Sequence, residues 1–343
     1  MRFGASEYGV DELFVPKING YYVSPSTFIT DVRRSVKSRL KLYQPQHSIT
    51  KVGDQALLDH DRTQAELSAA IEKGSPFAAG RLGTVEGDLV SWGIRNPNKR
   101  IPEALLRNAK TLAGIYPATQ AGASQFADRY INSVSQLDFL GLRNHHFFGG
   151  YFDMEKSVVE KAQPSYLCSI DELSPLGDSD SWVQHLAGRK VLVIHPFSKT
   201  IEHQYRQNRL GLFPNKNWLP EFDLQMYKPF QTSGERIPPG SPSSWGNAVD
   251  VMLDDISELQ FDIALISAGG YGLPLATGLK QNGRMAIHVG GVLQLFFGIR
   301  GGRWDSVTGQ YESLSLYHTD SWVRPLKEET PEWSKSIEGG AYW

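Results

Sequence analysis

One segment with residue types suited to acid–base chemistry is GRLGTVEGD, residues 80–88. Arg81 follows a short predicted strand at 77–79, and Glu86 and Asp88 stand two positions apart where a helix is predicted to begin. A carboxylate in that place can hold a divalent cation, act as a general base, or interact with the positive end of the helix. The spacing alone leaves these three roles open.

Three apolar runs, at 190–197, 261–267 and 284–291, predict buried strands. Polar residues and glycines at their ends are candidate ligand-binding groups, because glycine lets backbone N–H groups approach a phosphate. These candidates are His195 and Ser198 for the first run, Ser267, Gly269, Gly270, Tyr271 and Gly272 for the second, and His288, Gly290, Gly291 and Gln294 for the third. The sequence SAGGYG is neither a dinucleotide fingerprint nor a Walker A loop, so tight turns explain the glycines equally well.

The segment FGIRGGRW, residues 297–304, adds two cations. Arg300 and Arg303 can clamp a phosphate, or they can pair with surface carboxylates. His288 can bond a diphosphate or a sugar hydroxyl, or serve a structural role. The tandem His145-His146 lacks a metal-ligand spacing, and Cys168 lacks an activating partner nearby in the sequence.

Strands and helices must alternate to position these residues. Helices are predicted at 61–72, from 85, at 102–113 and at 123–134; another is capped by Ser198, and a further one begins near Pro274. Strand, glycine turn, helix and strand between 261 and 291 form a βαβ unit with parallel strands. The predicted fold class is therefore α/β of Rossmann type, a mostly parallel sheet with flanking helices that binds ligands at the carboxyl ends of its strands.

The composition excludes several classes of protein. The chain has 343 residues with 35 Lys and Arg against 37 Asp and Glu, a net charge of −2, which argues against a protein that grips nucleic acid through a basic face. One cysteine rules out a disulfide framework. The longest apolar stretches, 191–194 and 292–299, are far shorter than the roughly 20 residues of a membrane span. With no secretory signal pattern at the N-terminus, we expect a cytoplasmic protein.

Residues 1–60 are predicted to be a helical extension, and 61–343 the main domain. Within the extension, residues 26–43 form a basic amphipathic pattern. Its apolar positions are Phe28, Ile29, Val32, Val36 and Leu40, and its cations are Arg33, Arg34, Lys37, Arg39 and Lys41. This helix either packs on the domain as an ordinary surface helix or contacts an anionic membrane or acidic partner.

Residues 261–305, FDIALISAGGYGLPLATGLKQNGRMAIHVGGVLQLFFGIRGGRWD, resemble a signature of bacterial glycosyltransferases of the GT-D fold. The tail at 320–343, the segment IHPFSKTIEHQYRQNRLGLF at 194–213 and the short RLGTVE at 81–86 also resemble this family, so the likeness spans about 75–343. It implies a Rossmann-like domain that binds a nucleotide-diphospho-sugar and transfers the sugar to a growing glycan. That glycan is a surface polysaccharide such as O-antigen, or a glycoprotein glycan.

The resemblance also implies site roles. The family's Asp-x-Glu motif, linked to a divalent metal, is here Thr84-Val85-Glu86, so Mn²⁺ or Mg²⁺ bound through Glu86 and metal independence both stay open. Glu86 is the first candidate base and Asp88 the second. The cations Arg81, Arg300 and Arg303, with His288 and the amides of 269–272, would neutralise the leaving diphosphate. Tyr271 and Trp304 would stack on sugar, whereas Trp322 and Trp343 would latch the tail to the sheet.

Three functions remain in competition. The first is the transferase, with UDP- or dTDP-linked glucose, galactose (pyranose or galactofuranose) or rhamnose as donor. It would act on an acceptor that can be lipid-linked, which would place the enzyme at the inner face of the plasma membrane through residues 26–43. The second is another nucleotide-using enzyme on the same sheet. The third, from a different class, is a non-catalytic carbohydrate-binding or glycan-assembly subunit.

Overall fold

The computed structural model describes residues 17–18, 21–22, 49–143, 150–234, 237–305, 317–337 and 339–343. The predicted basic helix at 26–43 and the pair His145-His146 lie outside these residues. The division at residue 60 stays a prediction. No helix within the described ranges combines the length and the apolar character needed to cross a membrane.

Seven strands of the described chain form one sheet, and every neighbouring pair is parallel. They are β1 (Phe77–Arg81), β2 (Phe139–Leu142), β3 (Tyr166–Ser169), β4 (Lys190–Ile194), β5 (Asp223–Tyr227), β6 (Ile263–Ile266) and β7 (Met285–His288). Their order is β3-β2-β1-β7-β6-β4-β5. On one side of β1 lie β2 and then β3, and on its other side lie β7, β6, β4 and β5. The order in which the chain adds strands to the sheet therefore reverses beside β1. This confirms the α/β class with a parallel sheet. Two short antiparallel pairs, 17–18 with 21–22 and 51–52 with 55–56, lie outside the sheet.

The strands are apolar on both sides because both faces of the sheet are covered. Along β4, Leu192 and Ile194 belong to one core, and Val191 and Val193 belong to the other. This alternation is the two-residue period of a strand. Because a core covers each face of the sheet, a ligand can reach it at the strand ends, and in open parallel sheets it does so at the carboxyl ends.

The helices in the described residues agree with most of the predicted ones. They are α1 (His60–Lys73), α2 (Thr84–Arg95), α3 (Glu103–Thr111), α4 (Gln120–Ser135), α5 (Gly150–Ala162), α6 (Ser198–Asn208), α7 (Trp245–Ser257), α8 (Gly272–Gln281) and α9 (Leu293–Phe296). Asp59 caps α1 by accepting from the Arg62 backbone N–H at 2.9 Å, and Gly74 ends it at φ +66°. Pro274 lies in the first turn of α8, as predicted, although the helix begins two residues earlier.

The prediction that Ser198 caps α6 is wrong. The helix begins at Ser198, and Phe197 occupies the cap position without a side-chain cap. The Glu329 carboxylate instead accepts from the backbone N–H groups of Lys199 at 2.8 Å and Thr200 at 3.0 Å, and from the Thr200 hydroxyl. A carboxylate is a stronger acceptor than a serine hydroxyl and favours the positive helix end. The C-terminal tail therefore supplies this cap.

The tail packs against the core that contains Val191 and Val193, as predicted for Trp322 and Trp343. The Trp322 indole N–H donates to the Leu212 carbonyl, and Arg300 N donates to Val323 O at 2.8 Å. The Trp343 indole N–H donates to Glu329 O at 2.9 Å. The end of the chain thus reaches back to the carboxyl edge of the sheet.

Candidate functional site

A cavity of about 200 Å³ opens at the carboxyl edge of the sheet. Among the described residues, its lining includes the last residues of β1 and β7 and the loops after β2, β4, β5 and β6. This is the edge where open parallel sheets bind ligands, beside the strand at which the chain changes direction. The loop at 229–233 and the tail residues Ile337, Tyr342 and Trp343 complete the walls.

The structure brings most of the predicted site residues together around this cavity. Those that line it are Arg81, Glu86, His195, Ser267, Gly269, Tyr271, His288, Gly290, Gly291, Gln294 and Arg303. They come from five separate segments of the sequence, and the parallel register aligns those segments at one edge. The rule that ligands bind at strand ends therefore predicted residues that meet at one cavity.

Six predicted residues do not line the cavity: Asp88, Ser198, Gly270, Gly272, Arg300 and Trp304. Two of them are glycines for packing reasons. A Cβ atom at Gly270 would lie 2.9 Å from Ala113 O, and one at Gly272 would overlap the His288 ring, 2.7 Å from Nε2. Asp88 lies farther along α2, where burial raises its pKa to about 6. Arg300 donates through its backbone N–H to the tail.

The two rings expected to stack on a sugar are packed inside the protein instead. The Trp304 side chain is only 2% exposed. Tyr271 is stacked on Trp245, with ring centroids 5.7 Å apart, and its hydroxyl shares a 2.6 Å hydrogen bond with Thr232. Trp304 belongs to a hydrophobic core and does not line the cavity, whereas Tyr271 belongs to the other core and reaches the cavity lining with only 2% of its surface exposed. The ring closest to the expected role is Tyr342, which lines the cavity under the Arg303 guanidinium at 4.8 Å.

Three guanidinium groups line the cavity within the described chain: Arg81, Arg143 and Arg303. Burial and the like charges of Arg143 and Arg303 lower the pKa of Arg81 to about 10, so it remains a cation at neutral pH. The Arg81 side chain passes close to Gly290, where a Cβ atom would lie 3.1 Å from the Cδ atom of Arg81. Three like charges that line one cavity favour an anionic ligand.

Arg143 is a site residue that sequence reasoning missed. It directly follows β2, a four-residue strand that the sequence pattern did not reveal. Its guanidinium donates to Leu82 O and Thr84 Oγ1, both at 3.1 Å, and to Glu155 Oε1 at 3.0 Å. The strand-end rule would have found Arg143 if the short run FLGL had been recognised as a strand.

Glu86 occupies the third position of α2, and its carboxylate turns back over the start of that helix. It is 7% exposed, and burial raises its pKa above the ordinary value despite a hydrogen bond to its own backbone and the charges of Arg81 and Arg143. Its side chain reaches Gly83, whose N–H donates to the Tyr130 hydroxyl at 3.4 Å. Glu86 is thus a buried carboxylate near the charges of Arg81 and Arg143, which suits a general base.

Both histidines at the strand ends are neutral at physiological pH. Burial lowers the pKa of His195 to about 3; burial and the charge of Arg81 do the same for His288. The Nδ1 atom of His195 accepts from Phe197 N at 2.9 Å, so its Nε2 atom carries the hydrogen. His288 Nδ1 lies 3.2 Å from Ile266 O and must donate to that carbonyl. Neither imidazole adds positive charge to the cavity.

The residues present do not fit a divalent metal ion of the kind the GT-D resemblance implies. Among the residues the structure describes, no group of three or more His, Cys, Asp or Glu side chains could hold a metal ion. Glu86 is the only carboxylate in the described cavity lining, and the hydroxyl of Thr84 is engaged by Arg143. Hard divalent cations need several oxygen ligands, whereas this cavity presents guanidinium groups.

Comparison with known proteins gives a likeness to solved structures only. Neither a protein-family model nor a curated protein sequence matches this chain. A glycosyltransferase with domain of unknown function 1792 from Streptococcus sanguinis is 12% identical, with 70% of this chain and 82% of that chain covered and a TM-score of 0.43. A second structure of that domain, described as a distinct glycosyltransferase fold, is 14% identical over 68% and 82%, with a TM-score of 0.39. Such TM-scores establish no common function, so the cavity residues must indicate it.

Proposed function

We propose that this protein is a glycosyltransferase that moves a sugar from a nucleotide-diphospho-sugar to a hydroxyl of a surface-glycan acceptor. The observation that supports this proposal is the meeting of Arg81, Arg143 and Arg303 with the buried carboxylate of Glu86 at the carboxyl edge of a parallel sheet. The cations suit a diphosphate, and the carboxylate suits an acceptor hydroxyl.

The proposed reaction breaks one bond and forms one. The acceptor oxygen bonds to the anomeric carbon, and its proton passes to Glu86. The bond between that carbon and the diphosphate oxygen breaks, and the nucleoside diphosphate leaves with the electron pair. Its added negative charge develops beside the guanidinium groups, where preorganised cations stabilise a transition state most effectively. The raised pKa of Glu86 makes it a better proton acceptor than an exposed carboxylate.

We propose a UDP- or dTDP-linked hexose or deoxyhexose as donor, galactofuranose included. The acceptor is a polysaccharide, O-antigen or glycoprotein glycan, and lipid-linked acceptors fit an enzyme that works at the inner face of the membrane. Residues 26–43 would supply contact with anionic lipids.

A second candidate function is a glycan-binding subunit without turnover. Glu86 favours it in one respect, because its carboxylate is hydrogen-bonded to the start of its own helix and has a structural role there. The two functions differ in what happens to a donor after it binds.

Release of nucleoside diphosphate from a panel of UDP- and dTDP-sugars tests the proposal. We expect one donor to be consumed by the full chain in the presence of a glycan acceptor, and Glu86→Gln to bind that donor but lose most turnover, about 10²-fold or more. Glu103→Gln is the matched control, because Glu103 also lies in the first turn of a helix but pairs with Arg107 at the surface. Donor binding without turnover in the parent would favour the binding subunit.

A further inference from the structure

The start of α2 is held by the guanidinium of Arg143. Thr84 is the first residue of this helix, and its hydroxyl accepts from Arg143 at 3.1 Å. The same terminal nitrogen of Arg143 donates to Leu82 O at 3.1 Å. The guanidinium is therefore bound to the residues on either side of Gly83, the cap of the helix that carries Glu86.

Glu155 fixes this arginine from behind. Its carboxylate is 2% exposed, accepts from the Arg143 guanidinium at 3.0 Å, and accepts from the Arg143 backbone N–H at 3.2 and 3.1 Å. Side chain and backbone of Arg143 are thus held by one buried group. A cation held this way needs no rearrangement when a ligand binds, which is the condition for electrostatic preorganisation.

Guanidinium groups outnumber carboxylates in the described lining of the cavity. Arg81, Arg143 and Arg303 line it, Glu86 is the carboxylate among the described lining residues, and the Glu155 carboxylate lies behind Arg143. A divalent cation entering beside Glu86 would be repelled by the guanidinium groups at short range. An anionic diphosphate would instead be attracted.

We infer that Arg143, positioned by Glu155 and assisted by Arg81 and Arg303, supplies the positive charge that a divalent metal would otherwise supply, and that diphosphate binding in this cavity needs no metal ion. The inference rests on the proposed function for the identity of the ligand's diphosphate group. Arg143 is then a binding residue, and Glu155 is a positioning residue.

Calorimetric titration of the full chain with inorganic pyrophosphate and with UDP tests this inference. We expect both to bind in EDTA, with dissociation constants that change less than about threefold when EDTA is replaced by excess Mn²⁺. Arg143→Gln should weaken binding in EDTA by about tenfold or more, since a charge-assisted bond is lost. Arg129→Gln is the control: Arg129 also pairs with a carboxylate, Asp250 at 2.6 Å, and also donates to a carbonyl, but lies away from the cavity.

A folding defect must be separated from a binding defect, because Arg143→Gln leaves Glu155 buried without its ion pair. The double variant Arg143→Gln with Glu155→Gln removes both charges and keeps hydrogen-bonding groups. It should melt cooperatively with a native circular dichroism spectrum and still bind pyrophosphate about tenfold more weakly. Glu155→Gln alone retains the arginine. Its affinity for pyrophosphate should therefore fall less than that of the double variant, and it should be higher at low salt than at high salt.

Binding that vanishes in EDTA and returns with Mn²⁺ would overturn the inference, as would equal affinity of the folded double variant and the parent. Tight metal-free binding without sugar transfer from any donor would support the inference while contradicting the glycosyltransferase proposal. Failure of both probes to bind under either condition would overturn both.

Discussion

The carboxylate of Glu86 lies directly over Gly83, the residue at the N-cap of its helix. A Cβ atom at residue 83 would overlap this carboxylate, lying 2.5 Å from its Cδ atom. The φ angle of Gly83 is −72°, so the glycine is required by the close approach and not by an unusual backbone. One missing methyl group therefore sets the position of the proposed base.

Gly83→Ala should displace Glu86 from the cavity. We expect turnover of the preferred donor to fall by about tenfold or more, because small misplacements of a reacting group are costly, and the melting temperature to fall as well. Gly93→Ala is the matched control: it lies in the same helix, and a Cβ atom there meets nothing within 4 Å. Alanine at 93 should leave turnover unchanged and add about 0.5–1 kcal/mol of stability. Parallel loss in both variants would refute the role given to Gly83.

The acid limb of the pH–rate profile should report Glu86. A base must be deprotonated, so kcat/KM should be full above its raised pKa and fall as the pH drops through it. The histidines should leave no limb between pH 6 and 8, because the pKa values of His195 and His288 are about 3. Asp88, with a pKa of about 6, needs its own control. Asp88→Asn should keep the limb, and a profile that loses it in that variant would transfer the role to Asp88.

Glu329→Ala should destabilise the protein without altering the proposed chemistry directly. The carboxylate satisfies two backbone N–H groups at the start of α6, so its loss should cost about 2 kcal/mol in the free energy of unfolding, measured by denaturant titration. Glu328→Ala is the comparison. Glu328 pairs with Lys199 at the surface, and its loss should change the free energy of unfolding much less than the loss of Glu329 does.

His60, which pairs with Glu172 and Asp178 and does not line the cavity, should make the stability of the protein depend on pH. Partial burial lowers the pKa of His60, but the hydrogen bond and charge of Glu172 and the charge of Asp178 outweigh it and raise the pKa above 6.5. The stabilising contribution is then fully present below pH 6.5 and is lost as the pH rises through the raised pKa. His60→Gln should lower the melting temperature at pH 5.5 and change it little at pH 9. Equal shifts at both pH values would exclude this linkage.

Introducing a second carboxylate at the start of α2 tests whether Arg143 takes the place of a metal ion. Thr84→Asp in the Arg143→Gln background places a second carboxylate at the start of α2 and removes the competing cation. We expect Mn²⁺ to strengthen pyrophosphate binding by about tenfold in this variant, since a divalent cation bridging protein and phosphate needs one or two carboxylates. Thr84→Asp with Arg143 retained should gain little, because the aspartate would pair with the guanidinium.

The sequence predicted the sheet and the location of the cavity because both depend on local patterns. The β-branched and aliphatic run KVLVI predicts a strand without any knowledge of its surroundings. His195 and Ser267 directly follow predicted strands, and both line the cavity. Arg143 was missed because FLGL is short and contains a glycine. The cap of α6 was assigned to Ser198 because the true cap, Glu329, comes from 130 residues away.

Aromatic residues were the least predictable from sequence. An indole or phenol serves equally well in a core and against a sugar, and only the packing decides. Trp304 is buried away from the cavity, Tyr271 is buried at its lining, and Tyr342 lines it beside Arg303, although no sequence pattern separates the three.

The bond from the Trp343 indole to Glu329 O joins the cap of α6 to a wall of the cavity. The segment that caps α6 and the residue that forms this wall are thus tied by one hydrogen bond. We therefore expect substitutions that loosen the cap to change the shape of the cavity as well as the melting temperature.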